Sequence, residues 1–207
     1  MPSIHSLYAL VSPFFRRRRL ALFRRLLPAG ATDTLLDVGG YPWCWDGTGA
    51  DWPAITLLNL DFPAEQPAAH PQFRFVRGDG CALPFANGAF DLVFSNSVIE
   101  HLGTWARQQR FAAEARRVGG RLWVQTPARP FFVDPHLLAP FIHWLPPAWQ
   151  RRLIRNFTGW GWLTRPGPAE VDAFLAEVRL LNRAEMAALF PDCEIVVERF
   201  LGLPKSY

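Results

Sequence analysis

Gly39 and Gly40 close the apolar run LLDVGG, and acids follow at intervals a bound nucleotide could use. Glycines at the end of a strand take backbone angles other residues resist and let a ligand approach the main chain. Asp61 ends a second apolar run, ITLLNLD, about twenty residues on, where a carboxylate can accept hydrogen bonds from ribose hydroxyls. Asp79-Gly80 follows the run FRFVR, and taken alone is a turn. Ser95-Asn96-Ser97 and then Glu100-His101 end the run FDLVF, while Asp134, His136 and His143 stand in VDPHLLAPFIHWLPP. Histidine can serve as a base near neutral pH, although a lone histidine is by default a hydrogen-bonded structural residue. No Ser-His-Asp order, zinc-type spacing or phosphate-binding Walker loop is present, so no metal is expected. The turn DVGGYPW also lacks the GxGxxG of nicotinamide-dependent oxidoreductases.

These residues need strands whose ends lie side by side. Leu35–Gly40, Ile55–Leu60, Phe73–Val76, Asp91–Ser95 and Arg121–Gln125 are short apolar runs bounded by turn residues, as buried parallel strands are. They alternate with turn or helical segments. The expected fold is therefore α/β, a Rossmann-like three-layer sandwich with a mostly parallel sheet. In such sheets the ligand lies beyond the carboxyl ends of the strands. Tyr41–Pro53 barely supplies the dozen residues of a parallel crossover, so the first crossover helix is expected to be short or missing. FPAEQPAAHP can hold at most one helical turn. Thr104–Val118 carries a helical apolar stripe of Trp105, Phe111, Ala112, Ala115 and Val118, closed by Gly119-Gly120. Asn182 with Glu185 forms a capping-box pattern for a helix ending at Phe190-Pro191. Glu194–Phe200 reads as a sixth strand, with a last strand near Leu203 cut short or absent.

The ordered set LDVGG, LLNLD, RGDGCALPF, FDLVFSNSVIEHL and GGRLWVQTP resembles class I S-adenosylmethionine-dependent methyltransferases, specifically the type-11 methyltransferase domain. The likeness spans about Leu35–Pro127, and LLNRAEMAALFPDCEIVVERFLGLPKS is similar to that family's carboxyl-terminal block. It implies S-adenosylmethionine as cofactor. Asp37 would fix the glycine turn from below, and Gly39 and Gly40 would admit the methionine end. Asp61 would take the ribose hydroxyls, Asp79 the adenine amino group, with the Gly80 N–H at the ring, and Ser95 would face the pocket. His101 would stand at the site's mouth. Tyr41 occupies a position where the family usually has a further glycine, and Pro42-Trp43 follow it.

The 207 residues suit one domain with a substantial core. No apolar run approaches the roughly 20 residues of a membrane-spanning helix. No amino-terminal secretion signal is evident, and three widely spaced cysteines, Cys44, Cys81 and Cys193, fit a reducing, cytoplasmic setting. Residues 1–30 hold six of the 22 basic residues and no acid, so the rest of the chain is close to neutral, which argues against a nucleic-acid partner. That segment reads as a basic helix starting at Ser12-Pro13 and stopped by Pro28. Phe15, Leu22, Phe23 and Leu26 share one face, and Arg17, Arg18, Arg24 and Arg25 the other. The preferred reading packs it on the sheet edge, and the rival lays it on an anionic membrane surface. Residues 31–207 form the methyltransferase domain.

A Pro- and aromatic-rich cap or lid insertion occupies about residues 127–170. Pro127–Pro147 contains six prolines and cannot form a long helix or a central strand. Following the fifth strand, it would lie where a methyl group must point. Its stiff apolar wall, with few polar groups, suits a small, partly hydrophobic acceptor. His136, fixed beside Asp134 and Pro135, is the first choice for a base there, with His101 second. The rival function is a non-catalytic member of the fold acting as a binding or membrane-surface module.

Overall fold

Five apolar runs pair side by side as parallel strands. The structure is a computed structural model and describes residues 17–45 and 52–207. The strands are β1 (Thr34–Val38), β2 (Ala54–Asn59), β3 (Phe73–Arg77), β4 (Phe90–Asn96) and β5 (Gly119–Gln125), in the spatial order β3-β2-β1-β4-β5. All four pairings are parallel. The order reverses beside β1, so β1 and β4 flank the switch point at which α/β sheets bind ligands. Register brings Val38, Leu58 and Val76 level, so the loops after β1, β2 and β3 leave the sheet together.

The connections are as short as their proline content demands. A three-residue 3-10 turn (Pro42–Cys44) follows β1, and the single-turn α2 (Gln66–Ala69) precedes β3. Another 3-10 turn, Ile99–Leu102, leads from β4 into α3 (Trp105–Val118). The Thr104 side chain accepts from the Arg107 N–H to cap α3, and Phe111, Ala112, Ala115 and Val118 are buried against the sheet.

The apolar side of α1 (residues 17–26) faces the other surface of the sheet. Phe23, 1% exposed, meets the rings of Trp45, Trp52, Phe94 and Trp123. Of the expected stripe Phe23 is buried, Leu22 is half-buried and Leu26 is exposed, and Leu20 is buried beside Phe23. Arg19 falls on the inner side because its guanidinium has partners there, donating to Asn96 Oδ1 at 2.8 Å and Gln125 Oε1 at 2.5 Å. Arg17, Arg18 and Arg25 stay outward. Ser12-Pro13 and Phe15 lie outside the described residues.

After β5 the chain builds a cap. A two-residue hairpin, β6 (Val133–Asp134) with β7 (Ala139–Pro140), is followed by a 3-10 turn, Ile142–Trp144. Helices α4 (Pro147–Phe157), α5 (Gly159–Thr164) and α6 (Pro168–Glu177) come next. Leu137, Ala139, Ile142, Ile154 and Val171 form its own small core. Helix α7 (Arg183–Leu189) carries the expected capping box between Asn182 and Glu185.

One expectation is corrected. Glu194–Phe200 is not a sixth strand of the sheet: only β8 (Glu198–Phe200) is extended, and it pairs antiparallel with β9 (Leu203–Ser206). Leu201 and Gly202, both at positive φ, turn the chain back on itself. The hydrogen bonds of β8 therefore go to β9 and not to β5. The end of the chain instead ties to the segment after β5, through paired Thr126 and Tyr207 main-chain bonds of 3.0 Å.

Phe23→Ala tests whether α1 belongs to this core. Removing a buried ring should cost about 3–5 kcal/mol. Urea denaturation should therefore show one transition at a much lower midpoint. A change below about 1 kcal/mol would mean that α1 is an independent appendage.

Candidate functional site

The turn after β1 leaves no room for side chains. Gly39 has φ +82°, and a Cβ there would stand 2.3 Å from Val98 Cγ2. A Cβ on Gly40 would stand 2.0 Å from Asp37 Oδ2, so Asp37 lies directly beneath the turn as expected. Asp37 is buried and accepts a 2.8 Å hydrogen bond from Trp45 Nε1. Loss of solvent raises its pKa to about 7, with the indole bond opposing the shift only in part. Tyr41 needs no glycine: its φ is −131°, ordinary extended backbone, and its ring packs edge-on against Phe62, 5.9 Å away. Trp43 projects outward, 55% exposed.

The two acids sit on neighbouring strand ends. Asp61 and Asp79 each stand three residues beyond the registered pair Leu58 and Val76. Asp61 is open to solvent, paired with Arg77 at 3.1 Å, and accepts from the Phe62 N–H. Asp79 accepts from the Cys81 N–H at 2.8 Å and from Arg107 at 3.1 Å. The Cys81 bond, helped by Arg107 and opposed by partial burial, holds its pKa below the usual carboxylate range. Gly80 packs over Val38 and Phe111, where a Cβ would be 3.0–3.1 Å from them. Ser95 differs from the expectation: it is buried, and its hydroxyl donates to the Val38 carbonyl at 3.0 Å. It ties β4 to β1 beneath the turn.

Across the switch point, a second group gathers at the carboxyl ends of β4 and β5. Ser97 has φ +58° and bonds back to the Gln125 carbonyl, which turns the chain into Ile99–Leu102. That turn is fastened by buried Gln108 of α3, whose amide donates to the Ile99 and Arg179 carbonyls. Gly103 closes it so near α6 that a Cβ would lie 2.4 Å from the Ala176 carbonyl oxygen. His101 thereby reaches Glu177, Nδ1 to Oε1 at 3.0 Å. From the cap, His136 meets His101 edge-on with ring centroids 4.8 Å apart. His136 Nδ1 lies 3.0 Å from Asp134 Oδ1, which also accepts from the His136 main-chain N–H. Glu100 is fully buried and accepts from the Thr126 hydroxyl at 3.0 Å.

So the structure brings His101 and His136 together and places Asp37, Gly39, Gly40, Asp61, Asp79 and Gly80 along one edge. Glu100, Glu177 and Trp45 were not singled out from sequence. Glu100 carried a signal, an acid inside the apolar VIEHL, whereas Glu177 arrives on a distant helix. His143 is elsewhere, against the Arg129 carbonyl. A groove of about 540 Å³ opens beside β5, lined by Leu22, Trp123, Phe190 and Ile195 among others, but it contains none of these residues.

Residues 52–124 match the family described as a methyltransferase domain. The malonyl-[acyl-carrier protein] O-methyltransferase of Herminiimonas arsenicoxydans is 34% identical over 122 residues, 54% of this chain and 44% of that one. An uncharacterized methyltransferase of Mycobacterium avium is 38% identical over 96 residues, 44% of this chain and 36% of that one. The matched part of the chain is thus similar to a methyltransferase domain, and both of these relatives are named methyltransferases. The chain spans about half or less of the length of these curated relatives. Among solved structures, phosphoethanolamine N-methyltransferase 2 of Haemonchus contortus shares the fold at TM-score 0.56 and 14% identity, over 84% of this chain and 35% of that one. A Rhodobacter sphaeroides chain described as a Zn-dependent alcohol dehydrogenase shares it at 0.55 and 13%, over 84% and 82%. The fold by itself therefore does not separate these chemistries. The matched residues run from the start of β2 to the end of β5, and the glycine turn precedes them.

Asp37 gives the turn a pH signature. Its folded pKa of about 7 lies above the unfolded value of 3.8, so the folded state holds the proton more tightly. Stability from this group is full below about pH 4, falls as pH rises to about 7, and is level above that, a total of roughly 4 kcal/mol. Asp37→Asn should remove that loss: relative to the wild type, the variant should gain stability in urea between pH 5 and pH 8. An equal difference at both pH values would show that Asp37 is charged throughout.

Proposed function

We propose that the protein transfers a methyl group from S-adenosylmethionine to a small, partly hydrophobic acceptor. One observation carries this reading. Asp79, Asp61 and the Gly39-Gly40 turn stand at the ends of β3, β2 and β1, and the Glu100, His101 and His136 group stands at the ends of β4 and β5. A row in that order matches a ligand with adenine, ribose and amino-acid parts in sequence, its reactive end directed past the switch point. The donor set also fits. Two carboxylates can accept from an amino group and from hydroxyls, and a turn without side chains lets the main chain approach.

S-adenosylmethionine, held at its nucleoside end by Asp61 and Asp79, would supply an activated methyl on a sulfonium whose sulfur would keep the electron pair of the broken carbon–sulfur bond as the acceptor took the carbon. The protein's own work is to bind, align and exclude water. Asp61 and Asp79 hold the nucleoside end, and the cap residues following β5 wall the acceptor side with apolar groups. His101 and His136 orient the acceptor. Burial disfavours a charged His136 ring, but the hydrogen bond and charge of Asp134, with Glu100 and Glu177, outweigh it and raise the pKa. With Nδ1 engaged by Asp134, Nε2 of His136 is the nitrogen through which the ring, as the expected base, would take a proton from an acceptor atom that carries one.

Titration calorimetry tests the reading. Hydrogen bonds to a charged group are worth about 1.5–3 kcal/mol each, so Asp61→Ala should weaken S-adenosylmethionine binding at least tenfold. The far-UV spectrum should stay unchanged, because Asp61 is exposed. Equal affinity in the variant would remove the ribose assignment, and no heat with the wild type would favour a non-catalytic module.

A further inference from the structure

Glu100, His101 and His136 come from two segments of chain, yet each offers a ligand atom lying within 4.8 Å of the others. Both histidines have one ring nitrogen already engaged. His101 Nδ1 is held by Glu177 and His136 Nδ1 by Asp134, each at 3.0 Å. This leaves Nε2 on each ring as the atom available to a ligand. A carboxylate on the far nitrogen is the usual support of a metal-bound imidazole, because it fixes the tautomer and aims the other nitrogen. The third member adds an independent observation. Glu100 is 0% exposed, and while Oε2 accepts from Thr126, Oε1 has no hydrogen-bond partner among the described residues. A carboxylate oxygen buried and left unpaired costs free energy unless something positive meets it.

We infer that Glu100, His101 and His136 form a binding site for one divalent first-row transition cation such as Zn²⁺. Two imidazoles and a carboxylate are a donor set that such ions accept, and harder ions such as Mg²⁺ prefer oxygen alone. Three protein ligands leave at least one position for water, or for an oxygen or nitrogen of the acceptor. The site is built from its surroundings: Gln108 and Gly103 fix the turn bearing Glu100 and His101, and the Asp134 hairpin brings in His136. The binding claim stands apart from the methyl-transfer reading, since it concerns only the chain and the ion.

Zn²⁺ titration in metal-free buffer, followed by calorimetry, is the test, with Co²⁺ absorption as a second readout. The wild type should take up one equivalent and give the visible bands of a nitrogen- and oxygen-bound cobalt site. Glu100→Gln and His136→Ala should each weaken binding by at least 100-fold. Asp134→Asn, which removes only the support of a ligand, should cost about 10–100-fold. His143→Ala, outside the cluster, should bind as the wild type does. Thermal melts of each variant establish folding. Should Glu100→Gln lose its fold, His101→Ala, at a half-buried position, carries the same comparison. No uptake by the wild type at tens of micromolar overturns the inference. So does a folded Glu100→Gln or His101→Ala that binds with wild-type affinity, which would place the ion elsewhere on the chain.

Discussion

The constraint that joins the two halves of the site is the contact between Gly39 and Val98. The turn after β1 and the loop after β4 meet at the switch point with no space for one more carbon. The Gly39 N–H donates to the Leu58 carbonyl at 2.7 Å, so the turn cannot retreat without breaking its tie to β2. Val98 lies two residues before Glu100. The half of the site suited to a nucleoside and the half bearing the histidines are thus in van der Waals contact through one glycine and one valine. A shift of either half displaces the other, and interiors packed at this density transmit such shifts.

Much of the fold was legible because strand burial leaves a pattern that survives in the sequence. Five apolar runs of strand length, each bounded by glycine, proline or acid, gave the five strands to within two residues. Their parallel order follows from connections too long for hairpins. The hairpin at the carboxyl end was not legible, because an isolated ERF or LPKS segment reads the same whether it pairs with β5 or with itself. What decides it is the positive φ at Leu201, which residue type alone does not announce. Periodicity puts Arg19 on the apolar stripe of α1, but not the partners that meet its charge there, Asn96 and Gln125, which stand at two strand ends far off in the chain.

The candidate site was legible in part and along the same lines. Asp37, Gly39, Gly40, Asp61 and Asp79 are read from their distance to a strand end, a local property. The tyrosine standing where a glycine was expected carries no backbone strain, since the chain there is extended. Glu177 and Arg107 could not be read at all: they reach His101 and Asp79 across separations of 76 and 28 residues. Ser95 was read correctly as lying at the end of a strand, but which way its hydroxyl turns depends on the neighbouring strand.

Three buried acids show how differently one chain can accommodate a carboxyl group. Burial penalises the charge in all three. At Asp37 the penalty prevails, because a single indole donor does not replace water, and the group keeps its proton up to about pH 7. At Asp134 the penalty is the largest influence taken singly, yet the His136 ring and main-chain N–H together exceed it, and the pKa falls. At Glu100 burial prevails again. His136, His101 and Thr126 all favour its charge but do not overcome burial, so its pKa is raised. Asp37 and Asp134 hold a turn and a histidine in place. Glu100 is the one of the three with an oxygen unmet. That oxygen lies between two carboxylate-braced imidazoles, at the edge where the strands end, and it is on this arrangement that the proposed cation site rests.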